Sequence, residues 1–293
     1  MKRREFIKIA GVSSLGIATI PSFAGVLSPF KTSKYGLQVY TIRAALKEDF
    51  VGSLKKVAAI GYNDIELFNY QEGTYFNHSI TETKKILDDL ALTVKSSHIS
   101  LGRSTPDVIG TQMNGWEKAV EDAAKLGQKY IVCPYLQESE RKTLDDYKMY
   151  ADLFNKNAEI AKQYGIQYAY HNHAFEFDKI DGEEPYEILL NRCDKDLVKF
   201  EMDMYWMEYV GKDPISYFNR FPGRFPLWHI KDLSKEDDKF FTTVGDGVID
   251  WKKLFSYSKK AGLDNFYVEQ DDSKNKLPFV NIERSLTYLK GLK

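Results

Sequence analysis

A (β/α)8 TIM barrel of the α/β class is predicted by three observations on this 293-residue chain. Eight short apolar runs alternate with longer stretches in which apolar residues recur at three and four positions, the periods of strand and helix. Several helical stretches close on a glycine, Gly61, Gly127, Gly165 and Gly262, with the next apolar run a few residues on. Neither GxGxxG nor GxxxxGK[ST] occurs, so the phosphate loop that an open doubly wound sheet would carry is missing. Strand–helix units of this kind form parallel sheets with right-handed crossovers, and eight in succession close on themselves within about 250 residues.

An export signal is expected over residues 1–24. A basic start, Met-Lys-Arg-Arg-Glu-Phe-Ile-Lys, leads into a moderately apolar stretch from Ile9 to Ile20 and a small-x-small site at Ser22-Phe23-Ala24. Arg3 and Arg4, followed by Phe6 and Lys8, resemble the twin-arginine pattern, although Lys2 stands where Ser or Thr is usual. The apolar stretch falls short of the roughly 20 residues that span a bilayer, so cleavage is expected rather than a retained anchor. The expectation is a periplasmic protein handled by the twin-arginine export machinery, with no stable membrane insertion of the mature chain. Cleavage removes Lys2, Arg3, Arg4, Lys8 and Glu5, a net +3, and turns the formal −1 into −4. A mildly acidic body argues against a nucleic-acid partner, because duplex binding rests on clustered Lys and Arg. Cys133 and Cys193 lie sixty residues apart with no CxxC; one disulfide is open to them in an oxidising compartment, but two unpaired buried thiols are the expectation.

A polar linker, residues 25–34, precedes the barrel domain, residues 35–293. The predicted strands are Gly36–Tyr40, Asp64–Leu67, Thr93–His98, Tyr130–Pro134, Gln167–His171, Val198–Asp203, Leu227–Lys231 and Asn265–Glu269. Helices are predicted over Phe50–Ile60, Thr81–Leu90, Trp116–Leu126, Leu144–Tyr164 and Trp251–Ala261.

Catalytic groups of such barrels sit where strands hand over to the following loops. At or just after the last four strand ends stand Glu176, Asp203, His229 and Glu269, separated by 27, 26 and 40 residues, each about one strand–helix unit. Three carboxylates and an imidazole converging on one rim repel unless a cation neutralises them, so the set reads as a divalent metal site. Oxygen-rich donors with one nitrogen favour Mn²⁺ or Mg²⁺, with Co²⁺ or Zn²⁺ next. Singly, Glu269 reads as a rim ion pair, Asp203 as a helix cap and His229 as a core histidine; the joint pattern carries the metal assignment. His171 and His173 share strand parity and face the site, each in a substrate-binding or supporting role ahead of direct ligation, while Asn172 faces the helices.

Five motifs carry a resemblance over nearly the whole chain after residue 35. They are Gly-Leu-Gln-Val-Tyr-Thr-Ile-Arg (36–43), His-Asn-His-Ala-Phe-Glu-Phe (171–177), Trp-His-Ile-Lys-Asp (228–232), Val-Gly-Asp-Gly-Val-Ile-Asp-Trp (244–251) and Val-Glu-Gln-Asp (268–271). The chain resembles the xylose-isomerase-like TIM-barrel superfamily, the sugar phosphate isomerase/epimerase group that includes ketose 3-epimerases and inosose dehydratases. The resemblance implies a metal held by a Glu, an Asp, a His and a second Glu, matching Glu176, Asp203, His229 and Glu269, and homo-oligomers such as dimers or tetramers. Where ketose 3-epimerases carry a histidine three residues after the metal Asp, this chain has Trp206. The richer histidine set of the DNA-cleaving relatives is missing.

The expected chemistry is proton abstraction beside a sugar carbonyl through an enediolate that the metal stabilises. Glu176 and Glu269 are the expected acid/base pair, on opposite sides of the sugar, for an isomerase or epimerase. The runner-up is a lyase or dehydratase acting on keto-sugars or 3-keto-glycosides, and a third reading is a non-catalytic sugar-binding protein. His98, His173 and Lys231 are candidate contacts to substrate oxygens, and Tyr40 and Trp206 candidate stacking platforms. Glu66, at the end of the second strand, reads as barrel lining or a substrate contact.

Overall fold

The computed structural model describes residues 35–236 and 238–292. The export segment and linker predicted for residues 1–34 lie outside the described residues. Eight parallel strands close into a barrel: β1 Gly36–Gln38, β2 Asp64–Leu67, β3 Thr93–His98, β4 Tyr130–Cys133, β5 Gln167–His171, β6 Val198–Asp203, β7 Leu227–Ile230 and β8 Asn265–Val268. Each pairs with its neighbours in chain order, and β1 returns to β8 through Gly36↔Tyr267 and Leu37↔Val268. Seven strand ranges match the predicted apolar runs at both ends or within one residue; β1 stops two residues early because Val39–Ile42 coil into a 3-10 turn, capped where Tyr40 N donates to the Gln38 side chain.

Closure depends on a glycine. A Cβ on Gly36 would lie 2.4 Å from the Phe266 carbonyl oxygen and 2.5 Å from the Tyr267 ring, so the first and last strands approach only because residue 36 has no side chain. Inside the barrel, Tyr130, Val132, Ala169, Leu227 and Tyr267 form a small apolar plug, above which the lining turns polar. Outside, residues of the opposite parity pack under the helices. Trp228 stacks on Phe218 at 5.1 Å and 2° and lies 5.7 Å from Phe255. Tyr170 lies 5.4 Å from Phe154 and 6.3 Å from Phe200.

The helices start where local chemistry satisfies their free N–H groups. The Asp49 carboxylate accepts from Gly52 N at 2.8 Å to open Phe50–Ile60, which ends at Gly61 with φ +110°. Capping boxes at Ser79/Glu82 and Thr143/Asp146 open Ile80–Asp89 and Leu144–Gln163. The helix predicted over Trp251–Ala261 is two shorter ones, Trp251–Ser256 and Ser258–Ala261, broken at Tyr257. Two long inserts at the barrel mouth have no periodic signature. Residues 70–79 after β2 fold into a three-stranded antiparallel sheet, and residues 99–115 after β3 form a loop. The two meet where Glu72 N donates to the Ile109 carbonyl at 3.1 Å. Cys133 and Cys193 are both buried and free. No helix among the described residues is long and apolar enough to cross a membrane.

Candidate active site and metal centre

Parity delivers one polar side chain after another to the C-terminal end of the barrel interior. The inward positions are Glu66 on β2, His98 on β3, His171 on β5, Glu201 and Asp203 on β6, His229 on β7 with Lys231 just past it, and Glu269 and Asp271 at the end of β8. They form two storeys, with the His171 and His229 rings spanning both.

In the lower storey the Glu201 carboxylate meets three imidazoles: His98 Nε2 at 2.9 Å, His171 Nδ1 at 3.0 Å and His229 Nε2 at 3.1 Å. Glu66 reaches His229 Nε2 at 2.6 Å and His98 Nε2 at 3.2 Å, and accepts from the Gln38 amide at 2.7 Å. In the upper storey His229 Nδ1 lies 2.8 Å from Glu269, and His171 Nε2 lies 3.6 Å from Asp203. The Lys231 ammonium joins Asp203, Glu269 and Asp271 at 3.0, 2.8 and 3.1 Å.

Burial works against the charge of His98, His171, His229 and Glu269, and neighbours decide the outcome. Against its burial, Glu66 and Glu201 push the His98 imidazole up to about 9. His229 is likewise raised, by Glu201, Glu269 and Glu66. His171 goes the other way, lowered by burial and by the adjacent His229, and is neutral. Glu269 stays ionised well below the usual carboxylate range because Lys231 and His229 outweigh its burial. A neutral His171 that donates from Nδ1 to Glu201 leaves its Nε2 lone pair turned toward Asp203, the tautomer a metal ligand requires. His229 is placed alike, with Glu66 and Glu201 behind Nε2 and Nδ1 facing Glu269, but these carboxylates keep it protonated, and a cation at Nδ1 would take the place of that proton.

The donor set therefore fits a divalent ion. Asp203, His229 and Glu269 each offer a ligand atom within 4.8 Å of the others, and the buried Oδ2 of Asp203 faces the Lys231 ammonium at 3.0 Å. Carboxylates behind the ligating imidazoles are the usual supporting arrangement of metal-bound histidine.

Of the four metal ligands expected from the sequence, three come together here and Glu176 does not join them. The strand ends at His171, the chain turns, and Glu176 lies on a 3-10 turn, Phe175–Phe177. Its carboxylate accepts from the hydroxyl of Tyr170, a residue on the helix-facing side of β5, at 2.6 Å and from His173 N at 2.9 Å. Burial pushes it up to about 7 despite these two donors. A folded carboxyl raised above its unfolded value of 4.5 adds stability that is complete below 4.5 and lost as pH rises to about 7. The Glu176→Gln variant should lack this loss. Urea titrations at pH 4.5 and 8 are expected to differ by about 3 kcal/mol more for the wild type than for the variant; equal differences would mean that Glu176 is ionised throughout.

His98, His173 and Lys231 line a cleft of about 820 Å³ together with His171 and Glu269, and Tyr40 lines its far side. Trp206 stands beside this group, 5.4 Å from the His173 ring and with Lys231 5.9 Å above its own, and its Nε1 has no partner. The sequence reading passed over Glu201 and Asp271. Each stands two residues from an assigned ligand, Asp203 or Glu269, and Glu201 shares the inward face of β6 with Asp203.

A (β/α)8 barrel with a histidine–carboxylate centre at its mouth is the common ground of a known family. The family model for the xylose isomerase-like TIM barrel matches residues 54–290, and the chain belongs to that family of enzymes. It is 31% identical to a sugar phosphate isomerase/epimerase from Parabacteroides distasonis of known structure, with a TM-score of 0.76 over 94% of this chain and 100% of that one. It is 26% identical to an inosose dehydratase of Lacticaseibacillus casei over 166 residues, 50% of this chain and 55% of that protein. The chain thus spans about half the length of the curated relatives it matches. An L-ribulose 3-epimerase, at 15% identity and a TM-score of 0.65 over 88% of this chain and 94% of that one, shares the fold.

Proposed function

We propose that the protein is a divalent-metal-dependent lyase that removes the proton beside a sugar carbonyl and expels an oxygen substituent from the next carbon. The ligand set in this reading is His171, Asp203, His229 and Glu269, with His171 in the place expected for Glu176. When bound, the divalent ion supplies electrophilic polarisation of the substrate carbonyl. Two nitrogens and two carboxylates are a softer set than three carboxylates and one imidazole, which moves the preference from Mg²⁺ toward Zn²⁺, Co²⁺ or Mn²⁺.

One observation carries the choice of elimination. Inversion of a carbon by two bases needs carboxylates on both faces of the sugar, and Glu269 is the member of the expected pair whose carboxylate lines the cleft, while that of Glu176 points toward Tyr170. Elimination needs one base and one nearby acid. Glu269 takes the proton from carbon; the electron pair forms the new C=C bond as the C–O bond on the next carbon breaks; and Lys231, 2.8 Å from Glu269, gives a proton to the departing oxygen. His173, whose Nδ1 has no partner, is a further contact for substrate oxygens. The likeness to inosose dehydratases supports this reading. The likeness to a sugar phosphate isomerase/epimerase supports a second one, in which the proton returns to the sugar and nothing leaves.

Incubating the metal-supplied protein in D₂O with ketoses and 3-keto-glycosides separates the two. Release of water or aglycone is the expected result. Deuterium entering a sugar that stays whole would replace the lyase by an isomerase or epimerase, and neither event with any sugar would leave a binding protein.

A further inference from the structure

We propose that the cleft takes an uncharged glycoside of at least two rings and discriminates against phosphorylated sugars. This rests on the reading of the site as a sugar site and adds the substrate class.

Size is the first observation. At about 820 Å³ the cleft lies in the upper part of the range of roughly 300–1,000 Å³ for small-molecule pockets. The chemistry occupies one side of it, with His171, Lys231 and Glu269. The other side is built by the segments after β1, β2 and β3, where Tyr40, Phe68, Tyr70, Leu101 and Val108 form an aromatic and aliphatic wall. Tyr40 is 39% exposed and yet fixed. The Arg43 guanidinium lies 4.3 Å from its centroid, Phe68 meets it edge-on at 5.1 Å, and Arg43 is itself tied to the carbonyls of Tyr40 and Asp271 at 3.1 and 2.7 Å. An exposed ring held in place before binding is a stacking platform for the apolar face of a second sugar ring, with little ordering cost left on binding.

Charge is the second. Lysine and arginine are represented in the lining by Arg43 and Lys231, the former tied to carbonyls and the latter to three carboxylates. Facing them are Glu140, Glu269, Asp271 and Asp272. A phosphate monoester, carrying about −1.5 to −2 at neutral pH, would meet lysine and arginine side chains that are already engaged by the chain's own oxygens.

The third concerns the place where TIM barrels commonly hold phosphate, the loops after β7 and β8. The donors of the β7 loop are already taken by the chain's own buried Asp232. Its carboxylate accepts from Leu233 N at 2.9 Å, Gly245 N at 2.9 Å, Ile249 N at 3.2 Å and Trp251 Nε1 at 2.9 Å. The fit is close enough that a Cβ on Gly247 would lie 2.1 Å from Asp232 Oδ1. An internal carboxylate thus sits among the backbone N–H groups that would otherwise meet an anion.

The test is calorimetric titration of the full chain, supplied with Mn²⁺, with glucose, glucose 6-phosphate, cellobiose and trehalose. The expected result is at least one disaccharide binding about fivefold or more tighter than glucose, and glucose 6-phosphate binding more weakly than glucose. Tyr40→Ala, a change at an exposed side chain, should cut the preference for that disaccharide over glucose about fivefold. Tighter binding of the phosphate ester than of glucose would overturn the proposal, as would disaccharides no tighter than glucose or a preference unchanged in the variant. The outcome is separable from that of the D₂O experiment: two-ring preference without turnover would leave this subsite standing and remove the lyase, and turnover without that preference would do the reverse.

Discussion

Glu269→Gln should lower proton abstraction from a keto-sugar by about a thousandfold, within the range of roughly 10²–10⁴ for a positioned acid–base group. Two losses combine in this variant. The amide cannot accept a proton from carbon, and it offers His229 Nδ1 and Lys231 a neutral oxygen in place of the carboxylate they now meet at 2.8 Å each. The measurement is the rate of deuterium uptake or elimination, read beside metal content by elemental analysis. Loss of both shows Glu269 as a metal ligand; loss of rate with metal retained assigns it the base role. A variant that exchanges at the wild-type rate would remove Glu269 from the chemistry. Under the proposed ligand set, Glu176→Gln keeps its metal.

The second large effect is expected at Lys231, and it is one of stability. Lys231→Met takes away the ammonium that lies within about 3 Å of Asp203, Glu269 and Asp271, in a pocket where Lys231 is 1% exposed. Removing one partner of a buried ion pair leaves uncompensated charge and costs about 3–5 kcal/mol. For a chain of this size that lowers Tm by roughly 10 °C in the metal-free protein. Because Asp203 and Glu269 are also proposed metal ligands, adding Zn²⁺ or Mn²⁺ should restore more stability to the variant than it adds to the wild type. Scanning calorimetry with and without metal checks this. Equal metal-induced shifts in both proteins would separate the metal site from the oxygens that Lys231 holds.

The barrel was legible in the chain because each strand–helix unit repeats the same two periods. The strand runs Asp64–Leu67 and Val198–Asp203 are bounded in the structure as the sequence predicts. What the periods could not carry was the conformation after a strand stops. His171 and Glu176 lie five residues apart in one motif, and choosing between them as the rim group requires knowing where β5 ends and how Phe175–Phe177 coil. A carboxylate on a turn points wherever its local donors take it, here to Tyr170 and His173 N. Glu201 was hidden for another reason: a buried carboxylate in mid-strand carries a desolvation penalty, and the three imidazoles that offset it come from β3, β5 and β7, far away in sequence. The inserts 70–79 and 99–115 have neither period, since they are shaped by turns and by each other.

Those two inserts and the charged cluster belong to different parts of the molecule. The carboxylates and imidazoles stand on or directly beyond barrel strands, which hold one another by backbone ladders all the way round. The opposite wall hangs on loops clasped together by the Glu72–Ile109 contact and by the Tyr70 ring, against which a Cβ on Gly110 would come within 2.7 Å. Under the proposed function, the reacting groups and the selecting surface are separable modules. Exchanging both loops as a single cassette should then change which molecule is admitted while the rim groups keep their positions, whereas exchanging either loop alone should break the clasp.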